Sequence, residues 1–282
     1  MKSHLFLLFI LIGNIASAQN NTLCYQISDP SSKNNSYLFG TMHIMAADQF
    51  FFPEKVIQLL KKTDALCLEI KNIENKSLDP EQLFDNKRLL KEHCSNAQWD
   101  SLTNWAEQNL LMSTEQFEAN FNHAKPFLLL QFISSASLPV IHKSHELELE
   151  KIARSHKINL LELESIETQL QVFDAIPYSG QMEMIFNELK NNKNGKEDFE
   201  KMQVTYSSQN LDSVCSLADD QLFETYRAAF LEDRNLKWIP KIKEMMQDQN
   251  VFFAFGAAHL CGENGVLNLL LKEGYQITPI KL

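Results

Sequence analysis

The sequence predicts an α/β (α+β) fold in which a mixed central sheet, built from N- and C-terminal segments, is flanked by helices. Apolar runs with the length and composition of strands lie near both ends, and the long middle of the chain carries the apolar spacing of helices. Two runs end in the same turn, in which two residues separate a glycine from a histidine: Gly40 precedes His43, and Gly256 precedes His259. Because α/β folds place their sites beyond strand ends, we expect both histidines at one site.

The N-terminus has the features of a targeting segment. Lys2 supplies a short basic region, the apolar run at 5–12 is too short to span a bilayer, and small residues at 16–18 form a cleavage site. We therefore predict a signal peptide over residues 1–18, a single domain over 19–282, and export to the periplasm or the extracellular space. No later run is long and apolar enough to predict an integral membrane segment after cleavage.

Composition excludes some classes of partner. The chain carries a net charge of −10, which becomes −11 when residues 1–18 and their one lysine are removed. Such an acidic chain is a poor candidate for binding nucleic acid or anionic membranes. Five cysteines leave at least one thiol unpaired within the chain, and their spacing matches no zinc finger or knuckle, so no particular disulfide is predicted.

An antiparallel hairpin is the first predicted element after the targeting segment. Residues 22–27 and 37–41 have the composition of strands, and turn-forming residues separate them. Gly40 is expected to permit a tight exit towards His43, because glycine alone freely takes positive φ.

A parallel crossover follows the hairpin. Pro53 marks the start of a helix, and residues 65–70 form a continuous apolar strand with Glu69 near its end. Because strand, helix and strand in succession give a right-handed parallel crossover, we expect His43 and Glu69 at the same edge of neighbouring strands.

The rest of the chain alternates helical blocks with strands. Helical spacing covers 79–155 and, after a strand at 158–164, resumes from 166 to about 246. We predict that this strand is a third core strand ending in acids such as Glu164, and that the helical middle forms a cap or subdomain beside the sheet. The remaining predicted elements are a strand at 251–255, a helix at 265–272 and a strand at 275–280.

Five segments together resemble the TraB/PrgY family in its GumN-like branch, and the resemblance covers nearly all of the chain after the targeting segment. The segments are LFGTMH at 38–43, LE at 68–69, LESIETQ at 163–169, EDRN at 232–235 and FGAAHLCGENGV at 255–266. This group includes the TIKI proteins, which are metal-dependent proteases acting on Wnt ligands. One departure is Glu146, where an aspartate is expected at the start of a helix; we expect it to leave the fold intact and to add nothing about mechanism.

The resemblance implies a fold like that of the erythromycin-esterase and haem-uptake ChaN-like proteins, with histidines and glutamates clustered at one sheet edge. Two neutral imidazoles and a carboxylate suit Zn²⁺, Mn²⁺ or Co²⁺ and leave a position open for water. We therefore predict His43, His259 and Glu69 as ligands of a divalent metal ion, with Glu69 as ligand or general base. Glu164 is predicted as a second catalytic carboxylate, and Arg234 as the group that stabilises a developing oxyanion.

Alternatives stay open for two of these residues. Glu162 and Glu167 compete with Glu164 for the role of second carboxylate, and any of the three could lie on a solvated face. Arg234 could instead form an ordinary pair with a nearby acid such as Glu232.

Other candidate ligands have simpler interpretations. Cys261 could bind a soft metal, but we expect a small buried apolar residue. His142 and His145 could bind a metal together, but no carboxylate lies at a matching spacing, so we expect solvated capping residues at a helix start.

The leading predicted function is metal-dependent hydrolysis of a peptide or protein substrate. The alternative is a non-catalytic protein that binds haem or a signalling peptide through His43 or His259. Replacing Glu69 by glutamine separates the two, because hydrolysis should collapse while haem binding should barely change.

Overall fold

A computed structural model of the chain describes residues 22–30, 34–191, 195–221 and 224–282. The predicted signal peptide at 1–18 lies outside the described residues. The strands within these ranges are Cys24–Ser28 (β1), Asn35–Thr41 (β2), Met45–Ala46 (β3), Ala65–Leu68 (β4), His142–Lys143 (β5), Asn159–Glu162 (β6), Val251–Gly256 (β7) and Gln276–Pro279 (β8). The α-helices are Glu54–Leu60 (α1), Pro80–Leu83 (α2), Asn96–Leu110 (α3), Thr114–Phe121 (α4), Pro126–Ser135 (α5), His145–Ser155 (α6), Ile166–Asp174 (α7), Tyr178–Asn191 (α8), Gly195–Ser207 (α9), Leu211–Gln221 (α10), Asp233–Asp248 (α11) and Val266–Lys272 (α12).

A six-stranded mixed sheet with the order β6-β4-β7-β2-β1-β8 forms the centre of the fold. The strands β6, β4, β7 and β2 run parallel to one another, whereas β1 is antiparallel to both β2 and β8. The strand β7 is buried along its whole length, and its sequence VFFAFG has the near-continuous apolar character of a strand covered on both faces. The predicted mixed sheet, built from both ends of the chain and flanked by helices, is therefore confirmed.

The strand order corrects two predictions. The sequence places His43 and Glu69 on neighbouring strands, but β7 lies between β2 and β4. The crossover rule fixes the handedness of a connection and not the adjacency of its strands, so it gives no warning that a distant strand inserts between them. The strand β6, expected in the core, is an edge strand and is partly exposed.

The strand register brings the two Gly-x-x-His turns to the same level of the sheet. In the pairing of β2 with β7, Thr41 lies opposite Gly256, so the chain leaves both strands at one edge. His43 follows β2 directly, and His259 lies in a short 3₁₀ turn, Ala257–Leu260.

The helices surround two apolar clusters. The first is the core of the sheet, where α11 alone buries four large side chains, which are Trp238, Ile239, Ile242 and Met246. The second cluster lies within the helical middle and includes Trp99, Leu102, Phe117, Ile133 and Ile185. The helical middle therefore has an apolar core of its own, as expected for a cap or subdomain. Within the described ranges, every helix is too short or too polar to cross a membrane.

Candidate functional site

The glycine of each Gly-x-x-His turn lies close to a side chain of the other turn. A Cβ atom at Gly40 would lie 2.8 Å from Leu260 Cδ1, and one at Gly256 would lie 3.1 Å from His43 Nε2. Neither glycine is among the described residues with positive φ, so the expectation of a positive φ at Gly40 is wrong. The small size of glycine is what the two turns need, since it lets them pack against each other.

Glu69 lies between the two histidines at the edge of the sheet. Its Oε1 is 3.8 Å from His43 Nε2 and 3.8 Å from His259 Nε2. The same oxygen accepts a hydrogen bond from the Gly256 amide at 2.9 Å, and Oε2 accepts one from Gln169 Nε2 at 3.1 Å. Residues from opposite ends of the chain therefore meet at one buried carboxylate.

Arg234 on α11 joins both predicted carboxylates. Its Nη2 lies 2.5 Å from Glu69 Oε2 and 2.5 Å from Glu164 Oε1, and its Nε donates to Glu164 Oε1 at 3.1 Å. The other oxygen of Glu164 accepts a hydrogen bond from Trp238 Nε1 at 3.1 Å. Glu232, the alternative partner of Arg234, bonds to other residues.

Of the three competing acids, Glu164 is the one that reaches the site. Glu162 accepts a hydrogen bond from the Lys71 amide at 3.1 Å, away from the histidines, and Glu167 is exposed. Burial of Glu164 beside a cation therefore separates three acids that the sequence could not rank.

His259 is buried and held in one tautomer. Its Nδ1 lies 2.6 Å from Asn235 Oδ1, while Asn235 Nδ2 donates to the carbonyl oxygens of His259 at 3.2 Å and Asn264 at 2.8 Å. Because the Asn235 amide nitrogen donates to these carbonyl oxygens, Asn235 Oδ1 faces the histidine and accepts the proton on His259 Nδ1. The other ring nitrogen, Nε2, therefore carries a lone pair, and it lies 3.2 Å from Arg234 Nη1. Burial lowers the pKa of His259 to about 3, so the ring is neutral at neutral pH.

His43 is held by Glu146 at the start of α6. Its Nδ1 lies 2.8 Å from Glu146 Oε1, which also accepts a hydrogen bond from the Thr41 hydroxyl. The Glu146 carboxylate raises the pKa of His43 to about 9. The side chain of His43 is 61% exposed, so solvent weakens this pair. The carboxylate of Glu146 therefore orients one of the two imidazoles, a contact that the sequence analysis does not predict.

The charges around Glu69 compensate one another. Burial acts to raise the pKa of Glu69, but His259, His43, Arg234 and the Gly256 amide together lower it to about 2. Burial likewise acts to lower the pKa of Arg234, and its two carboxylate partners raise it above the ordinary value. The cluster therefore contains an ionised carboxylate beside a permanent cation and a neutral imidazole.

Two clefts meet at His43. One has a volume of about 480 Å³ and is lined mainly by apolar side chains, with Arg234 and His259 at its inner end. The other has a volume of about 780 Å³, and many of its lining side chains are charged, including Glu69 and Glu146. The imidazole of His43 is accessible from both sides.

The model of the TraB/PrgY/gumN family matches residues 23–279. The chain belongs to the TraB/PrgY/gumN family. Metalloprotease TIKI1 of Danio rerio is 33% identical over 60 residues, which span 20% of this chain and 12% of that protein. No solved structure matches the chain.

The predicted ligands of this TraB/PrgY/gumN chain suit a divalent metal in type and orientation. Each imidazole has its Nδ1 held by an acceptor and its Nε2 near the same oxygen of Glu69, as metal-binding histidines commonly do. Atoms that share an ion at about 2.1 Å lie roughly 3.0–3.4 Å apart, so the separations of 3.8 Å require a small contraction. In their present positions, no described group of three or more His, Cys, Asp or Glu side chains could hold a metal ion. The metal therefore stays a prediction.

The structure corrects the interpretation of one further histidine. His145 is fully buried and not a solvated cap, with Nδ1 2.8 Å from the Met42 carbonyl oxygen and Nε2 2.8 Å from that of Phe51. It therefore anchors the segment that carries His43. His142 is exposed and lies in β5, so the two residues form no common site.

A disulfide that the sequence did not predict lies next to the site. Cys215 on α10 is bonded to Cys261, and their Cα atoms are 5.5 Å apart. Cys261 is buried as expected, but it is not a simple apolar residue. The bond ties α10, which lines the apolar cleft, to the turn that carries His259. The free cysteines among the described residues are Cys24, Cys67 and Cys94.

Proposed function

We propose that this chain is an exported hydrolase that depends on a divalent metal ion and acts on peptides. The observation that carries the proposal is the meeting of His43 and His259 at one oxygen of Glu69, with both Nε2 atoms 3.8 Å away. The short match to Metalloprotease TIKI1 supports proteolysis as the reaction.

The ion would be Mn²⁺, Co²⁺ or Zn²⁺, and His43, His259 and Glu69 would hold it. When bound, such an ion supplies an acidified water and a polarised substrate carbonyl at neutral pH. The chain supplies the orientation of the rings, since Glu146 and Asn235 hold the two Nδ1 atoms and so keep both Nε2 atoms on the side of Glu69.

Hydrolysis of a peptide bond moves one proton away from the attacking water and one onto the leaving amine as the C–N bond breaks. Glu69 is ionised and adjacent to both imidazoles, so we assign it the role of ligand or general base. Arg234 lines the apolar cleft, and we assign its positive charge the role of stabilising the oxyanion that develops on the carbonyl. The oxygens of Glu164 accept hydrogen bonds from Arg234 and Trp238, so we propose that Glu164 holds Arg234 in position.

The disulfide between Cys215 and Cys261 supports export. Disulfides persist in oxidising compartments and are rare in the cytosol. Together with the signal peptide predicted at 1–18, this bond supports a periplasmic or extracellular location.

Metal analysis combined with peptide cleavage tests the proposal. We expect the wild type to carry or bind a first-row metal, His43→Ala and His259→Ala to lose it, and His123→Ala, an exposed histidine of the helical middle, to keep it. Only the wild type and the His123→Ala control should cleave peptides of a broad library. A wild type that binds no such metal, or metal retained in full by both site variants, would overturn the proposal.

The apolar cleft beside the exposed ring of His43 favours one second candidate, a protein that binds haem or a peptide without catalysis. A Soret shift on haem titration that is abolished in His43→Ala and preserved in Glu69→Gln would support it. For the hydrolase, Glu69→Gln should abolish cleavage.

A further inference from the structure

An apolar cleft opens beside the two imidazoles, and its volume is about 480 Å³. Its walls come from α9, from α10, from the π-helical segment Ala228–Glu232 and from the turns that follow β2 and β7. The apolar side chains of the helical walls include Phe199, Met202, Val214, Leu217 and Phe230. The cleft is continuous with the site, because His43, Arg234 and His259 also line it.

Large apolar side chains stay partly exposed in this cleft. Phe199, Met202, Val214 and Phe230 are only half-buried, although they come from three different elements and converge on one space. Contact of apolar surface with water is unfavourable, so binding of an apolar group is favoured by each exposed apolar side chain that the group covers.

The cleft on the other side of His43 also has apolar walls, but it carries several charged side chains. Its charged lining side chains are Glu69, Glu74, Lys143, Glu146, Glu148 and Lys151. His43 and Ile44 line both clefts. An extended chain that crosses His43 therefore passes from a cleft with few charged side chains to one with several, at the position of the candidate catalytic groups.

The volume sets the size of the group that the apolar cleft can hold. An engineered cavity of about 150 Å³, lined by aliphatic and aromatic side chains, binds benzene. At about 480 Å³, this cleft has room for roughly three such rings. A phenylalanine, tryptophan or leucine side chain with its adjoining backbone would use this space, whereas an alanine would leave most of it unfilled.

Given the hydrolase function above, we propose that the apolar cleft is the subsite that selects the substrate. It binds one bulky apolar side chain, aromatic or large aliphatic, of a peptide whose scissile bond lies at His43, Glu69 and His259. The neighbouring residues of the peptide pass over His43 into the charged cleft, so selection acts on one side of the cleaved bond.

A peptide library with one varied position on each side of the cleaved bond tests this selection. We expect kcat/KM for phenylalanine, tryptophan, leucine or methionine at one of these positions to exceed that for alanine by about 100-fold, because one methylene in an apolar pocket is worth roughly 10–200-fold. Equal cleavage of apolar and small residues at both positions would overturn the proposal.

A pair of valine substitutions localises the effect. Val214→Trp fills the cleft from α10, whereas Val204→Trp places the same side chain on α9 at a position that is 67% exposed. The preference for phenylalanine over alanine should fall from about 100-fold towards one in Val214→Trp and stay unchanged in Val204→Trp. Thermal unfolding shows whether each variant folds, and Met202→Trp, on the neighbouring wall, replaces Val214→Trp if that variant does not. A preference that survives filling of the cleft would overturn the assignment.

Binding to the Glu69→Gln variant separates this proposal from the hydrolase function. The probes are an acetylated, serine- and alanine-rich peptide amide with one phenylalanine and the same peptide with alanine in its place, both titrated by calorimetry. Preferential binding of the phenylalanine peptide, without cleavage by the wild type, supports the apolar subsite and overturns the hydrolase. Cleavage without preference and with equal binding overturns the subsite and leaves the hydrolase standing. Equal binding with no cleavage overturns both.

Discussion

Removal of the guanidinium of Arg234 should destabilise the protein far more than removal of a surface arginine. In Arg234→Leu, the carboxylates of Glu69 and Glu164, each 5% exposed, lose the cation whose Nη2 lies 2.5 Å from both. Breaking a buried ion pair costs about 3–5 kcal/mol, because an uncompensated charge is left behind. At roughly 2–4 °C per kcal/mol, we expect Tm to fall by about 6–20 °C.

Urea and thermal unfolding, followed by circular dichroism, measure this loss. The control is Arg88→Leu, because the Nε of Arg88 lies 3.7 Å from Asp85, its side chain is 57% exposed, and such surface pairs contribute about 0–1 kcal/mol. A double-mutant cycle of Arg234→Leu with Glu164→Gln should give a coupling of about 0.5–3 kcal/mol. A loss below about 1 kcal/mol for Arg234→Leu, or no coupling, would refute the reasoning, since it would mean that water already solvates the carboxylates.

Three further perturbations address the surroundings of the site. Asn235→Ala frees the Nδ1 of His259 and should weaken metal affinity about 10–100-fold, as measured by metal titration. The double variant Cys215→Ser/Cys261→Ser removes a disulfide that joins residues 46 positions apart. From the entropy of closing a loop of that length, its free energy of unfolding, measured in urea, should fall by about 4 kcal/mol. The pKa of Glu146 is lowered to about 2 by its partners against the effect of burial, so its stabilising contribution is present above pH 4.5 and fades as the pH falls towards 2. The Tm difference between the wild type and Glu146→Gln should therefore shrink between pH 5 and pH 2.

A specific result would contradict each of these three predictions. Unchanged metal affinity in Asn235→Ala would show that the tautomer of His259 does not need this partner. Unfolding of the wild type that is insensitive to a reducing agent would contradict the stabilising role of the disulfide. A Tm difference for Glu146→Gln that grows as the pH falls would reverse the inferred sign of the pKa shift.

Local patterns in the sequence predict the main strands and helices, and they predict the edge of the sheet at which the strands before the histidines end. The run before His259 predicts a buried strand because its apolar residues are contiguous, and β7 is that strand. The two Gly-x-x-His turns predict a shared edge, and the register of Thr41 with Gly256 brings them to it. Glu69 is predicted at the same edge because a carboxylate at the end of a buried strand needs a partner, and its Oε1 lies 3.8 Å from both imidazoles.

Several specific side-chain pairings between distant segments leave no signal in the sequence. Glu146 reaches His43 across 103 positions, and a single acid at a helix start carries no sign of that partner. The pairing of Cys215 with Cys261 is one of several that an odd set of cysteines allows. Arg234 lies near Glu232 in the chain, but only the packing of α11 against the sheet decides that it bonds to Glu69 and Glu164.

The place of β7 in the sheet has a consequence for the order of folding. Its neighbours β2 and β4 are synthesised long before Val251–Gly256, because both precede the helical middle of the chain. The long loop between β4 and β7 must close before the strands can pair, so the two parts of the sheet stay unjoined until β7 has been made. A nascent chain that cannot complete its core early stays unfolded for longer, which is compatible with the export proposed above.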